Sequence, residues 1–261
     1  MRRQRRSVTD GDEDANLTRI GSVAQVPTRR PKVEPLADRL LARGPGDPLA
    51  GELLGWQARS PRFRAFAEAH RDKIWKKLRR AMDAEALRDV RAELRAAHLL
   101  LADRRIELAF EAYGSGKVGP DFTVTFRGTQ RFNLEVTRLR RVPDAAGFAW
   151  PLLAKLRQLP PSAPNALLVA IDGTSAEALD VAAATRALRS RADAKDESFF
   201  ADRGFAGTRG FYERYLRLNA VLVWCEGATS DARAALWTNR SARIAMPERS
   251  AQACLQCLRA D

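Results

Sequence analysis

Apolar residues recur three and four positions apart from Pro35 to about Asp103, in LADRLLA, FRAFAEAH, KIWKKL and VRAELRAAHLLLA, with few strand formers between them. This spacing lines one face of a helix. It predicts a helical N-terminal region over 35–85, broken at GPGDP (44–48), and then a longer helix from about Leu87 to Ala102. The period next changes to two. Ile106, Leu108 and Phe110 alternate with Glu107, Ala109 and Glu111, Gly114 to Gly119 form a turn, and Phe122, Val124 and Phe126 alternate again. After a second turn at Arg127 and Gly128, Phe132, Leu134 and Val136 take one face of a third strand and Asn133, Glu135 and Thr137 the other. The pattern is a helix followed by three consecutive antiparallel strands.

Beyond Pro151, placed as a first helical residue, LLAKLRQL reads as a short helix, and the apolar run ALLVAIDG (166–173) as a buried strand. A helix from Ser175 to about Arg189 and a second buried strand from Asn219 complete a parallel crossover. Between them, residues 190–215 interleave Phe199, Phe200, Phe205, Phe211, Tyr212 and Tyr215 with arginines and acids. Such a mixture can stack bases, but the favoured reading is a long loop anchored to its own sheet by aromatics. ALWTNRSAR offers one more strand and the chain ends in a short amphipathic segment. Residues 1–34 show no sustained period and read as a disordered, charged arm. The expected organisation is thus an arm (1–34), a helical region (35–85) and an α/β domain (86–261).

Composition narrows the partners. Forty-five Lys and Arg against 32 Asp and Glu give a formal charge of +13, which favours a polyanion such as nucleic acid through counterion release. No apolar stretch is long enough for a bilayer, and MRRQRRSVTD has no apolar run behind its charges, so the expected location is the cytoplasm. The three cysteines suit a reducing compartment. Cys254 and Cys257 form a C-x-x-C, but only Cys225, His70 and His98 remain to complete a zinc site, so a plain C-terminal helix is the favoured reading. Two histidines in helical segments give a serine triad little to work with, and no phosphate-binding G-x-x-x-x-G-K-[ST] loop occurs.

Glu93 in the helix, Pro120-Asp121 at the start of the second strand and Glu135-Val136-Thr137 in the third occur in a suggestive order, with GPDFTVTFRGTQRFNLEVTRL at its centre. From about Leu87 to Ala242 the chain resembles the core of the PD-(D/E)XK nuclease superfamily. The resemblance implies a restriction-endonuclease-like α/β fold, a central mixed sheet flanked by helices. It further implies a magnesium or manganese ion (Mg2+ or Mn2+) held by Asp121 and Glu135, catalytic participation of Glu93, and hydrolysis of phosphodiester bonds, in DNA first. The physical logic is that a hard cation prefers carboxylate oxygens, and two carboxylates facing each other across antiparallel strands repel without one. Glu111, at the end of the first strand, is a reserve ligand.

The chain departs from the family pattern at Thr137, which stands where a lysine is usual and carries no charge. Lys155, on the following helix one turn before Gln158, is the best-placed substitute, and Lys117, in the turn ahead of Asp121, is second. Arg138 and Arg140, with Lys117 and Gln158, are candidate nucleic-acid contacts; arginine stays protonated and serves as a phosphate binder, not a proton carrier. A homodimer is allowed by this reading. The competing reading is a catalytically silent nuclease fold that binds nucleic acid or a partner protein. Position separates the two: an active site needs Lys155 to point at the carboxylate pair.

Overall fold

The computed structural model describes residues 35–42, 47–113, 119–173, 175–229 and 232–260. The arm 1–34, most of the Gly114 to Gly119 turn with Lys117, and residues 44–46 of the breaker lie outside the described residues. The first helices are α1 (Leu36–Leu41), α2 (Pro48–Arg59), α3 (Pro61–Ala69), α4 (Arg71–Arg80) and α5 (Ala84–Leu100). Strands β1 (Ile106–Phe110), β2 (Phe122–Phe126) and β3 (Gln130–Leu139) follow, then α6 (Ala145–Leu156) and β4 (Asn165–Ile171). A 3-10 turn (Ala176–Ala178) leads to α7 (Val181–Asp193), α8 (Glu197–Ala201), α9 (Gly207–Tyr215), β5 (Leu218–Cys225), β6 (Ala234–Thr238) and α10 (Glu248–Arg259).

Local chemistry accounts for the boundaries. Asp47 caps α2 through Leu49 N and Ala50 N with Pro48 as first helical residue, and Ser60 ends α2 while capping α3 through Phe63 N. Asp83 caps α5 through Ala86 N. The turn from β2 to β3 places Arg127 and Gly128 at φ 52° and 73°, the left-handed pair that matches the twist of a tight hairpin.

The six strands lie in sequence order, β1 to β6. β1, β2 and β3 pair antiparallel, β3, β4 and β5 parallel, and β6 antiparallel to β5. The molecule is therefore α/β with a mixed sheet between helical layers. Alternation assigns the faces: Phe132, Leu134 and Val136 join the core of α1–α5 and α10, while Leu167, Val169, Val221 and Val223 join that of α6, α7 and α9. Residues of 35–85 belong to the same core as the sheet, with Phe63, Ile74 and Leu78 buried in it. Arg62 reinforces the junction, its guanidinium donating to the carbonyls of Leu101, Asp103 and Ile106 at 2.6, 2.6 and 2.5 Å.

Three expectations need correction. α6 begins at Ala145, six residues before Pro151, because Asp144 caps it through Gly147 N and Phe148 and Leu152 bury on one face. Pro151 is thus inside the helix, where it donates no bond to the preceding turn. The helix expected from Ser175 is a single 3-10 turn and then α7, whose cap is Asp180. Residues 190–215 form helices α8 and α9 instead of a loop; their aromatics do anchor them, with Phe200 and Phe211 fully buried and stacked at 4.6 Å. The C-x-x-C lies on α10, where burial pushes the Cys254 thiol up and that of Cys257 up to about 11.

A polar seam fastens the start of the parallel strands. Asn165, fully buried, accepts from Asn133 Nδ2 at 3.0 Å, and its backbone N–H donates to Asn219 Oδ1 at 2.8 Å. Its own amide reaches the carbonyls of Pro160, Ala163 and Arg217 at 2.9, 2.9 and 3.0 Å. Replacing Asn165 by Leu leaves these buried acceptors without a donor, so chemical denaturation should show a loss of about 2–4 kcal/mol, more than one neutral hydrogen bond is worth.

Candidate functional site

Strand register assembles the site. Phe110 pairs with Phe122 and Phe122 with Leu134, so the next residues outward, Glu111, Asp121 and Glu135, stand side by side across β1, β2 and β3. Backbone bonds hold the row: Glu111 N donates to Asp121 O at 2.8 Å, and Val136 N donates to the Asp121 carboxylate at 2.9 Å. Glu93 joins from α5. It lies on that helix's buried stripe with Val90, Leu94 and Ala97, a charged group where an apolar one would pack. Glu93 is 9% exposed and Glu135 7%.

Buried carboxylates need cations, and two lysines from opposite layers supply them. Lys155 Nζ, from α6, donates to Glu135 Oε1 at 2.6 Å and to Gln158 Oε1 at 3.4 Å. The lysine expected to face the carboxylate pair does so, with Gln158 beside it. From the other layer, Lys77 of α4 hydrogen-bonds Glu93, lies 3.1 Å from Asp121 Oδ1 and 3.8 Å from Glu111 Oε1, and sits 5.1 Å above the Phe110 ring. One turn earlier Lys73 donates to the carbonyls of Phe110 and Glu111 at 2.8 and 2.9 Å. It thereby clamps Glu111 where the backbone turns left-handed, at φ 44°, a strained conformation for a residue with a side chain.

Lys73 and Lys77 escaped the sequence reading, which looked for the missing charge near Thr137 in the chain. A signal was present: the lysines are four apart, beside Ile74 and Leu78, the buried positions of α4, so both edge the face that packs inward.

Arg138 is drawn away from solvent. It forms ion pairs with Glu85, with Asp89 at 3.1 Å and with Asp172 at 3.7 Å, fastening the end of β3 to the start of α5. Arg140 is exposed, 3.4 Å from Glu85. Lys117 lies outside the described residues. Of the residues expected at the site, Glu93, Glu111, Asp121, Glu135, Lys155 and Gln158 come together.

Four carboxyl groups against two ammonium groups leave an excess of negative charge. Burial, with the Asp121 charge adding to it, pushes Glu93 up to about 8 against the pull of Lys77. Burial and Asp121 raise Glu135 as well, opposed by Lys155. Burial lowers Lys77, but Glu93 and Asp121 outweigh it and hold the ammonium charged well above its ordinary range. The cluster therefore stores a proton near neutral pH, on Glu93.

A carboxyl whose pKa is raised on folding binds its proton more tightly in the native state. Its stabilising contribution is complete below the unfolded value near 4.5 and is lost as pH rises through about 8. Between those limits wild-type protein should lose stability relative to Glu93→Gln, which keeps an acceptor for Lys77 without the charge. Thermal melts at pH 5 and pH 8.5 should show the difference shrinking on the order of a few kcal/mol; parallel pH profiles would place the stored proton elsewhere.

A scan against protein-family models finds no match to this chain, and comparisons with curated proteins and with solved structures find none either.

Proposed function

We propose that the chain is a metal-dependent nuclease with a restriction-endonuclease-like core, hydrolysing phosphodiester bonds in DNA. The observation that carries the reading is the in-register row Glu111, Asp121 and Glu135 with Lys155 directed at Glu135. A lysine displaced from the strand to the next helix, and still delivered to the same carboxylate, is what an active site without a lysine at position 137 requires.

The donor set fits magnesium or manganese by chemistry: Glu93, Glu111, Asp121 and Glu135 offer hard, largely buried oxygens that would hold it. Among the described residues no group of three His, Cys, Asp or Glu is arranged to hold a metal. Glu93, Glu111 and Asp121 instead gather around Lys77 Nζ. A divalent ion supplies Lewis acidity towards the phosphodiester when bound. The chain's own residues do the rest. Lys155 presents N–H donors where charge develops on a phosphate oxygen, Gln158 limits its swing, and Glu135, with its raised pKa, is suited to accept a proton from the attacking water. The positive charge of the chain accounts for affinity towards the backbone without reading sequence.

The second reading, a silent module that binds nucleic acid or a partner protein, is favoured by one observation: the Lys77 ammonium neutralises the carboxylates where an ion would act. Cleavage of plasmid and single-stranded DNA with magnesium or manganese separates the two. Asp121→Asn, Glu135→Gln and Lys155→Ala should each lower the rate ~10²- to 10⁴-fold, the usual worth of a positioned acid or base, with DNA binding retained by Lys155→Ala. Wild-type protein without cleavage on any of these substrates would leave the silent module standing.

Binding itself should weaken steeply between about 50 and 200 mM salt, because released counterions drive it. An affinity that stays flat over that range would point to a protein partner.

A further inference from the structure

Lys77 occupies the convergence of three carboxyl groups contributed by α5, the end of β1 and the start of β2. Lys73 and Lys77 leave the same helix one turn apart but do different work. Lys73 bonds only carbonyl oxygens, those of Phe110 and Glu111, and so fixes the helix to the strand end. Lys77 bonds only carboxylates, the groups a divalent cation would need. A compact ammonium and a hard metal ion compete for the same oxygens, and mutual repulsion keeps both from sitting among them. The Lys77 side chain is 25% exposed, so a rotamer change carries it to water while Lys73 keeps α4 in place.

We propose that Lys77 is a built-in competitor for the metal: its ammonium holds the carboxylates together until a divalent ion displaces it, so that metal loading of the site is gated by one side chain of α4. The inference rests on the metal-dependent reading of the same site. It makes a distinct claim, that the chain lowers its own metal affinity by supplying an internal cation. The cage is then assembled without metal, and the ion enters by exchange instead of by gathering scattered ligands.

The test uses the full-length chain and manganese, with free Mn2+ read by electron paramagnetic resonance. Lys77→Met keeps the apolar stem and removes the charge, and it should bind Mn2+ roughly 10- to 100-fold more tightly than wild type, the worth of a lost charge-assisted bond. Lys77→Arg keeps the charge and should show no such gain. Where Lys77→Met folds poorly without metal, wild-type protein alone answers the question. Acylation read by mass spectrometry should find Lys77 protected in metal-free protein and reactive at saturating Mn2+, with Lys73 protected in both. Equal Mn2+ affinity of wild type and Lys77→Met, or a Lys77 still protected at saturation, overturns the gate and leaves the metal reading intact. Failure of wild type and Lys77→Met alike to bind Mn2+ overturns the metal reading, and the gate with it.

Discussion

Burying like charges is the constraint around which the end of this sheet is organised. Glu93, Asp121 and Glu135 lie within reach of one another's fields in a region largely closed to water. Such an arrangement is unfavourable unless cations or protons enter with it. The protein uses both: Lys77 from one layer, Lys155 from the other, and a proton held on Glu93. Stability alone would be served by apolar residues of similar size. Retaining four carboxyls here is therefore a feature of the site's chemistry more than of the fold's cohesion.

The same constraint ties the N-terminal helices to the sheet. Considered as a separate helical region, 35–85 has only apolar stripes to bury, and any surface would do. With Lys73 and Lys77 directed to the end of β1, and Arg62 bonded to the carbonyls around the start of that strand, its placement becomes specific. Hydrophobic burial of Ile74 and Leu78 brings α4 to the core, and the hydrogen bonds of its lysines select one register against β1. Removing this region would leave the acidic row without one of its two cations.

Period and turn chemistry carried most of the fold. The change from a 3.6- to a 2-residue period near Ile106, the hairpin at Arg127-Gly128 and the continuous apolar runs of β4 and β5 all have their counterparts in the molecule. What was not legible came from stronger local competitors or from distant contacts. Asp144 starts α6 upstream of a proline that would ordinarily open a helix, and a polar segment rich in aromatics folds into α8 and α9 because those rings have a core to enter. For the site, Asp121, Glu135, Glu93 and Lys155 could be named because strand alternation and element order act locally. Lys77 is 44 residues from Asp121 in the chain. Nothing local links them; only the packing of α4 against the strand end does.

The two lysines also divide the site's chemistry by face. On β3, Leu134 and Val136 point to the α1–α5 layer, so Glu135 points to α6, and a lysine for it must come from α6 or from the strand itself. Thr137 removes the second option, and Lys155 meets the need from the first. Asp121 lies at a strand start, where the sheet ends and neither layer closes over it, and it can therefore be reached from the α4 side. Glu135 and Asp121 are adjacent in register yet paired to cations from opposite layers. A change in one cation need not disturb the other: Lys77 can leave Asp121 and Glu93 while Lys155 stays on Glu135. That separation is what allows a site to be held together without metal and still keep its positioned lysine ready.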